Sequence, residues 1–318
     1  MLDLVSDILT NLSMRGVLYF RTSFTKPWGV AVPNYENVAR FHFAHRGSCL
    51  VTVDGLKEPV FVAQGDLIII PHGAAHSLFC GDDPERTIMP LDTVLERSGY
   101  KGSGVLVYGG NEPQSETQLI CGHFSFEPNA KHVLMERLPP LIHLKNYGEA
   151  AGKWMEATLR VIGDEAGRQR MGGDLIALKM SEAIFAQAIR SFVESSDAPE
   201  WGLAAFSDPN LCRALDAFHQ EPDRAWTVEA LAQVAAMSRT SFAVLFQKKV
   251  AMTPMEYVTG WRIEIAKKLL ADPTNSLSDA AESVGYASDS AFARVFKKET
   301  GFTPAGFRKI TNAEHSVS

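Results

Sequence analysis

Cysteine is scarce in this chain. The four residues Cys49, Cys80, Cys121 and Cys212 show no short paired spacing, which leaves no disulfide framework or Cys-x-x-Cys metal motif to organise the fold. Long apolar runs are missing too: none reaches the length of about 18 residues that a membrane-spanning helix needs. The opening MLDLVSDILTNLS has Asp3 and Asp7 where an export signal would be basic, so it reads as a short amphipathic helix. These absences point to a cytoplasmic protein with free thiols and no membrane partner. Positive charge is also in short supply, with 31 Lys and Arg against 37 Asp and Glu for a net charge of −6. That total is unpromising for a nucleic-acid binder, but the deficit is local. Residues 1–207 hold 18 basic against 24 acidic side chains, whereas 208–310 hold 13 against 12. The C-terminal part is near neutral with basic clusters, which does not exclude nucleic acid.

What is present suggests several domains. The chain is 318 residues long, 46% hydrophobic and 21% charged, so it has room for about two globular domains. Residues 16–125 read as short strands broken by Gly, Pro and Asn: VLYF (17–20), RFHF (40–43), CLVTV (49–53), PVFV (59–62), DLIII (66–70) and QLICGHFSF (118–126). Closely spaced strands without helical periods between them indicate a β-sandwich or barrel. From about Tyr147 the pattern turns helical. Trp154, Leu159 and Ile162 form one stripe, and Leu175, Leu178, Ile184, Phe185, Ile189 and Phe192 form another. ESSDAPEWG (194–202) reads as a linker, and the rest is helical up to the polar tail.

The C-terminal third repeats itself at a spacing of 50 residues. Ala230 maps onto Ala280, Val234 onto Val284, Ser238 onto Ser288, Phe242 onto Phe292 and Ala243 onto Ala293. Phe246 maps onto Phe296, Lys248 onto Lys298, and Thr253-Pro254 onto Thr303-Pro304. Each unit reads as a short helix (228–235 or 278–284), a turn (AAMS or GYAS), and a second helix with two inward Phe residues one turn apart. Thr then caps the next helix and Pro occupies its first position. Two short helices joined by a tight turn form a helix-turn-helix, whose second helix can enter the major groove. An ordinary helical bundle is the competing reading. Against it, the faces away from the Phe stripe are polar or basic: Arg239, Thr240 and Gln247 in the first unit, Ser290, Arg294 and Lys297 in the second.

GYASDSAFARVFKKETGFTPAGFRK (285–309) resembles the signature of the AraC/XylS transcription regulators, and WRIEIAKKLLADP (261–273) resembles the helix joining that family's two units. The resemblance runs over about 209–310. It implies an all-α double helix-turn-helix domain that sets two recognition helices in successive major-groove segments of an operator, with RNA polymerase as a further partner. Base-facing positions then fall at Thr240, Ala243 and Val244 in the first helix, and at Asp289, Ser290, Ala293 and Arg294 in the second. Arg239, Lys248 and Lys298 join the DNA-binding set. Ala243 and Val244 depart from the longer polar residues common there. They can pack on a thymine methyl but cannot hydrogen-bond a base, so Arg294 is expected to dominate readout, with phosphate contact as its alternative role.

Upstream, GDLIIIPHGAAH (65–76) fits the second cupin motif at Gly65, Pro71, Gly73 and His76, while the slots of the first motif hold His42, Ala44, Ser48 and Gly55. FHFAHRGSCLVTVDG and CGHFSFEPNAKHVLMERLPPLIHL (121–144) resemble the cupin-type sensors found ahead of such regulators. This resemblance implies a cupin-like β-barrel over 1–145 for a small-molecule effector, with two of the four usual metal ligands replaced. His42 and His76 should meet in the lumen, and Cys121 and His123 share a strand face. If that face is the inner one, His42, His76, Cys121 and His123 can hold a zinc-like divalent transition metal. The alternative is two satisfied histidines, a buried thiol and a surface histidine. His45 falls on the opposite strand face and is expected to be exposed. Cys49 and Cys121 could instead sense redox state. A metal-dependent cupin enzyme needs ligands this chain lacks, which disfavours catalysis, and a storage module is a third option. Trp28, Phe41, Phe61 and Phe79 read as barrel core or effector-pocket walls.

Residues 146–205 then form a helical linker whose stripe from Leu175 to Phe192 is too apolar for a solvated helix. Packing on the barrel and pairing with a second subunit both answer that need, and the resemblance to such regulators favours homodimerisation through 147–193. The DNA-binding domain follows at 206–312.

Overall fold

The computed structural model describes residues 14–81, 88–102, 104–111, 115–126, 138–147, 171–194 and 208–315, with Ile8, Trp154, Ala157, Thr158 and Val161. They fall into two compact units, one through 14–126 and 138–194, the other through 208–315. Leu159, Ile162 and the expected linker beyond residue 194 lie outside the described residues.

The first unit is a two-sheet β structure. One sheet runs β11 (Ile142–Leu144), β6 (Leu67–Ile70), β3 (Val38–Arg46), β10 (Thr117–Phe126), β1 (Met14–Thr25) and β9 (Val105–Gly109). The other runs β5 (Val60–Val62), β4 (Cys49–Val53), β7 (His76–Phe79), β2 (Gly29–Val32) and β8 (Ile88–Pro90), with α1 (Leu91–Ser98) after β8. Strand alternation decides which residues meet between the sheets. Ala44, Ile68, Ile70, Leu119 and Cys121 of the first sheet share one buried cluster with Val30, Val51 and Leu78 of the second. The register then carries the inward face of β3 from Ala44, opposite Leu119, to His42, opposite Cys121, and Arg40, opposite His123.

Ala39, Phe41 and Phe43 of β3 and Leu67 and Ile69 of β6 are buried as well, so β6 is apolar on both faces. Such a strand needs a cover on its second side. On this side of the sheet lies helix α2 (Gly173–Glu194), packed against β1, β10 and β11. Phe185 meets Phe124 at 4.9 Å and Phe126 at 5.7 Å between ring centroids, and Phe124 stacks on Phe41 at 5.0 Å. Ile184, Phe185, Ile189 and Phe192 are accordingly buried within one chain. The part of the expected dimer stripe from Ile184 to Phe192 is therefore taken up within the chain. Its apolarity is met by the outer face of the sheet, and only the start of the helix keeps large apolar residues in the open, Leu175 at 61% and Ile176 at 43% exposure. Phe61, expected in the core, is on the surface.

The second unit comprises α3 (Pro209–Gln220), α4 (Val228–Val234), α5 (Arg239–Val250), α6 (Pro254–Ala271), α7 (Leu277–Ser283), α8 (Asp289–Thr300) and α9 (Pro304–His315). Side-chain oxygens cap the starts: Thr227 accepts from the Ala230 N–H, Ser238 from Ser241, Thr253 from Glu256, Ser276 from Asp279 and Ser288 from Ala291. Helix α6, the expected connector, is held by a full Thr253–Glu256 capping box.

The two units of the repeat match at 50 residues in their second helices and at 49 in their first. Buried Leu231, Ala232 and Ala235 correspond to buried Ala280, Ala281 and Val284. The identities Ala230/Ala280 and Val234/Val284 therefore do not mark equivalent sites, and the turn before α8 is one residue longer than the turn before α5. Both turns pass through the left-handed region at equivalent positions, Ala236 at φ 54° and Gly285 at φ 78°. A Cβ on Gly285 would collide with the Asp223 carbonyl oxygen.

Candidate DNA interface and sensor lumen

Each helix-turn-helix is built on the same aromatic ladder. In α5, Phe242 and Phe246 lie 5.6 Å apart and Phe246 meets Tyr257 of α6 at 5.8 Å. In α8, Phe292 and Phe296 lie 5.5 Å apart and Phe296 meets Phe307 of α9 at 5.5 Å. All four Phe side chains are fully buried. With the aromatic face turned in, helical geometry turns the opposite face out. Arg239, Thr240, Val244, Gln247 and Lys248 are exposed on α5, and Asp289, Ser290, Arg294, Lys297 and Lys298 on α8. Val244 is 65% exposed, an apolar residue in the middle of an otherwise polar face. Ala243 and Ala293, expected to face bases, are half-buried beside the Phe ladder.

The exposed residues differ in what they already hold. Arg239 pairs with Glu229 at 3.3 Å and Lys298 with Glu299 at 3.5 Å, both on the open surface. Both carboxylate oxygens of Asp289 lie 2.9 Å from the Ser278 hydroxyl, which ties the start of α8 to α7. Arg294 has no ion pair among the described residues, so its guanidinium fork is available to a guanine edge or a phosphate. Two further arginines, not singled out by the sequence, fasten the loops that precede the first helix of each unit. Arg262 donates to the Pro222 carbonyl and the Arg224 carbonyl, each at 2.7 Å. Arg308 donates to the carbonyls of Leu270 at 3.2 Å and Asn275 at 2.7 Å.

A family model described as a helix-turn-helix domain matches residues 231–310, and one described as a cupin matches residues 3–194. A Streptomyces lividans protein named as an AraC-like transcription regulator is 32% identical over 97% of this chain and 98% of its own length. The chain belongs to the AraC-like transcription regulators. The transcriptional regulator AlkR of Acinetobacter baylyi is 28% identical over 97% of this chain and 99% of its own. The DNA-binding domain of AdpA, solved with a target DNA, aligns with 35% of this chain and 99% of that domain at 25% identity and a TM-score of 0.33.

This regulator's cupin lumen contains His42, His76 and Arg40, each buried to 5% exposure or less. The Nε2 atoms of His42 and His76 are 2.9 Å apart. His76 Nδ1 is 2.8 Å from the Ala74 carbonyl oxygen, so it carries the proton and donates, which leaves His76 Nε2 to accept from His42. His42 Nδ1 then has no partner. Cys121 lies beside His42 on β10, while His123 turns its Nδ1 to Arg40 at 3.5 Å. The structure thus brings two of the four expected metal ligands together. Among the described residues no group of three or more His, Cys, Asp or Glu is arranged to hold a metal ion. Two imidazoles alone do not make a four-ligand site.

Burial, then Arg40, pushes His123 down to about 4. Burial is also the main cause that brings His76 to about 4 and His42 well below its usual value. Burial raises Cys49 to about 12 and Cys121 higher still. Both are therefore held as thiols, the opposite of what a reactive redox cysteine requires. His45, expected to be exposed, is half-buried.

Proposed function

We propose that the chain is a one-component cytoplasmic regulator whose α5 and α8 read one face of an operator while its cupin lumen takes a small-molecule effector. The observation that carries this reading is the pair of matched aromatic ladders, each presenting an exposed second helix. The test is to cross-link the full-length protein in its native cell and sequence the DNA recovered. A shared motif spanning two half-sites about 10 base pairs apart supports the reading, whereas recovered DNA without a common motif contradicts it. RNA polymerase is the expected protein partner at such promoters. No helix among the described residues is long and apolar enough to cross a membrane.

With the end of α2 covered by the sheet, we assign homodimer contacts to its exposed start. Leu175→Glu should move the protein towards monomer by light scattering without unfolding it, and an unchanged dimer would place the interface elsewhere. A second reading rests on the same 2.9 Å approach of the His42 and His76 Nε2 atoms: a divalent transition metal that takes the place of the proton between them, which moves to the unpartnered His42 Nδ1, and is held by these two imidazoles alone. Less than about a tenth of an equivalent of metal after zinc supplementation would sink it.

A further inference from the structure

Arg40 is a buried cation that has no counter-ion among the described residues. It sits on the inward face of β3, is 5% exposed, and its Nε has no hydrogen-bond partner. Its neighbours are neutral: the Tyr35 ring 4.2 Å from the guanidinium carbon and His123 Nδ1 3.5 Å from one terminal nitrogen. His42 and His76 are within reach of its charge and are themselves held uncharged. Among the described residues no carboxylate pairs with Arg40. Asp66, the one buried carboxylate among the described residues of this unit, is committed elsewhere: it takes His143 Nε2 at 2.8 Å and the backbone N–H groups of Ala63 and Asn146. It also lies four residues along β6 from Ile70, the neighbour of Arg40, roughly 13 Å away at the usual strand rise. Buried charges in proteins are ordinarily paired, because removing an ion from water is costly.

The site is also placed to be reached. Tyr35, over the guanidinium, is 39% exposed. Its backbone N–H donates to the Gly73 carbonyl at 3.0 Å, and any Cβ on Gly73 would strike the Tyr35 carbonyl oxygen. The glycine of the cupin motif thus lets the Tyr35 loop close over the Arg40 end of the lumen. Because His123 Nδ1 accepts from Arg40, its Nε2 carries the proton and offers a second donor.

We propose that the Arg40 guanidinium, assisted by His123, is the anchor for the carboxylate group of an organic acid effector in the lumen. This rests on the sensor reading above and names the chemistry of its ligand. The anion completes the pairing that the described residues leave open, and a bidentate Arg–carboxylate contact fixes its orientation.

The test uses the full-length protein, stripped of metal by chelation, with acetate, hexanoate, decanoate and benzoate as probes, each against its neutral alcohol, and inorganic phosphate as a separate arm. A carboxylate should raise the melting temperature more than its alcohol does, by mass action. Arg40→Met should weaken carboxylate binding at least about tenfold, while the ligand-free variant melts no lower than wild type, because a buried unpaired charge has been removed. Should Arg40→Met fail to fold, Arg40→Lys keeps the charge without the fork and should still weaken the response. A carboxylate response that either variant keeps in full overturns the proposal, and so does stabilisation by phosphate alone. Equal shifts from acids and alcohols in wild type and Arg40→Met alike would remove the anion anchor and leave a sensor barrel standing. The sensor reading fails separately, if no small-molecule fraction of cell extract changes operator affinity.

Discussion

In the first helix-turn-helix Phe246 meets Tyr257 at an interplanar angle of 71°, and in the second Phe296 meets Phe307 at 73°. The inner faces are near copies, and both second helices end on a residue in the left-handed conformation, Ala251 at φ 61° and Gly301 at φ 80°. The outer faces are not copies. Where α5 offers the exposed Val244, α8 offers Arg294, and only the latter can form bidentate hydrogen bonds to a base. The core of the repeat is thus constrained by packing, which permits one arrangement of rings, while the exposed tips are free to differ and so to divide the work of recognition.

The largest test of that comparison concerns the shared ladder. Phe246→Ala and Phe296→Ala should each lower stability by about 3–5 kcal/mol, read in denaturant titrations of the full-length chain. Unequal losses would show that the two cores are not equivalent. Next come the loop fasteners. Arg262→Ala and Arg308→Ala each leave two backbone carbonyls without their charged donor, at a cost of about 1.5–3 kcal/mol apiece. If calorimetry shows either variant as stable as wild type, that arginine does not fasten its loop. The smallest effect separates the helix ends. Gly301→Ala has open space around it, so it should cost only the left-handed penalty of about 1 kcal/mol, and Ala251→Gly should gain a similar amount. Opposite signs in thermal melts would confirm the pairing, and a stabilised Gly301→Ala would refute it.

The same division explains what could be read in advance. Period-two alternation and apolar runs revealed β1, β3, β4, β5, β6 and β10, and the Phe spacing revealed α5 and α8, because these patterns follow from burial. Short strands such as β2 and β8, with sequences GVAV and IMP, are too brief to carry a period. The apolar stripe of α2 announced burial but not the surface that would cover it, and the choice between sheet and second subunit went to the sheet. The 50-residue register gave the second helices correctly and misplaced the first by one residue, since small buried alanines leave little in the sequence to align. Within RFHF, Arg40 stands two residues before His42 and so on the same strand face. A lone cation in a strand draws attention only once its lack of a carboxylate partner can be seen.

The central claim is that two similar helix-turn-helix units read DNA unequally through Arg294. The direct measurement is a titration of full-length wild type, Arg294→Ala and Lys298→Ala against a matched and a scrambled operator at several salt concentrations. Arg294→Ala should lose about 1–3 kcal/mol on the matched site alone and relax preference at one base pair. Lys298→Ala should weaken both DNAs alike and reduce the salt dependence by about one charge. Equal losses for Arg294→Ala on matched and scrambled DNA would make Arg294 a phosphate clamp and contradict the account.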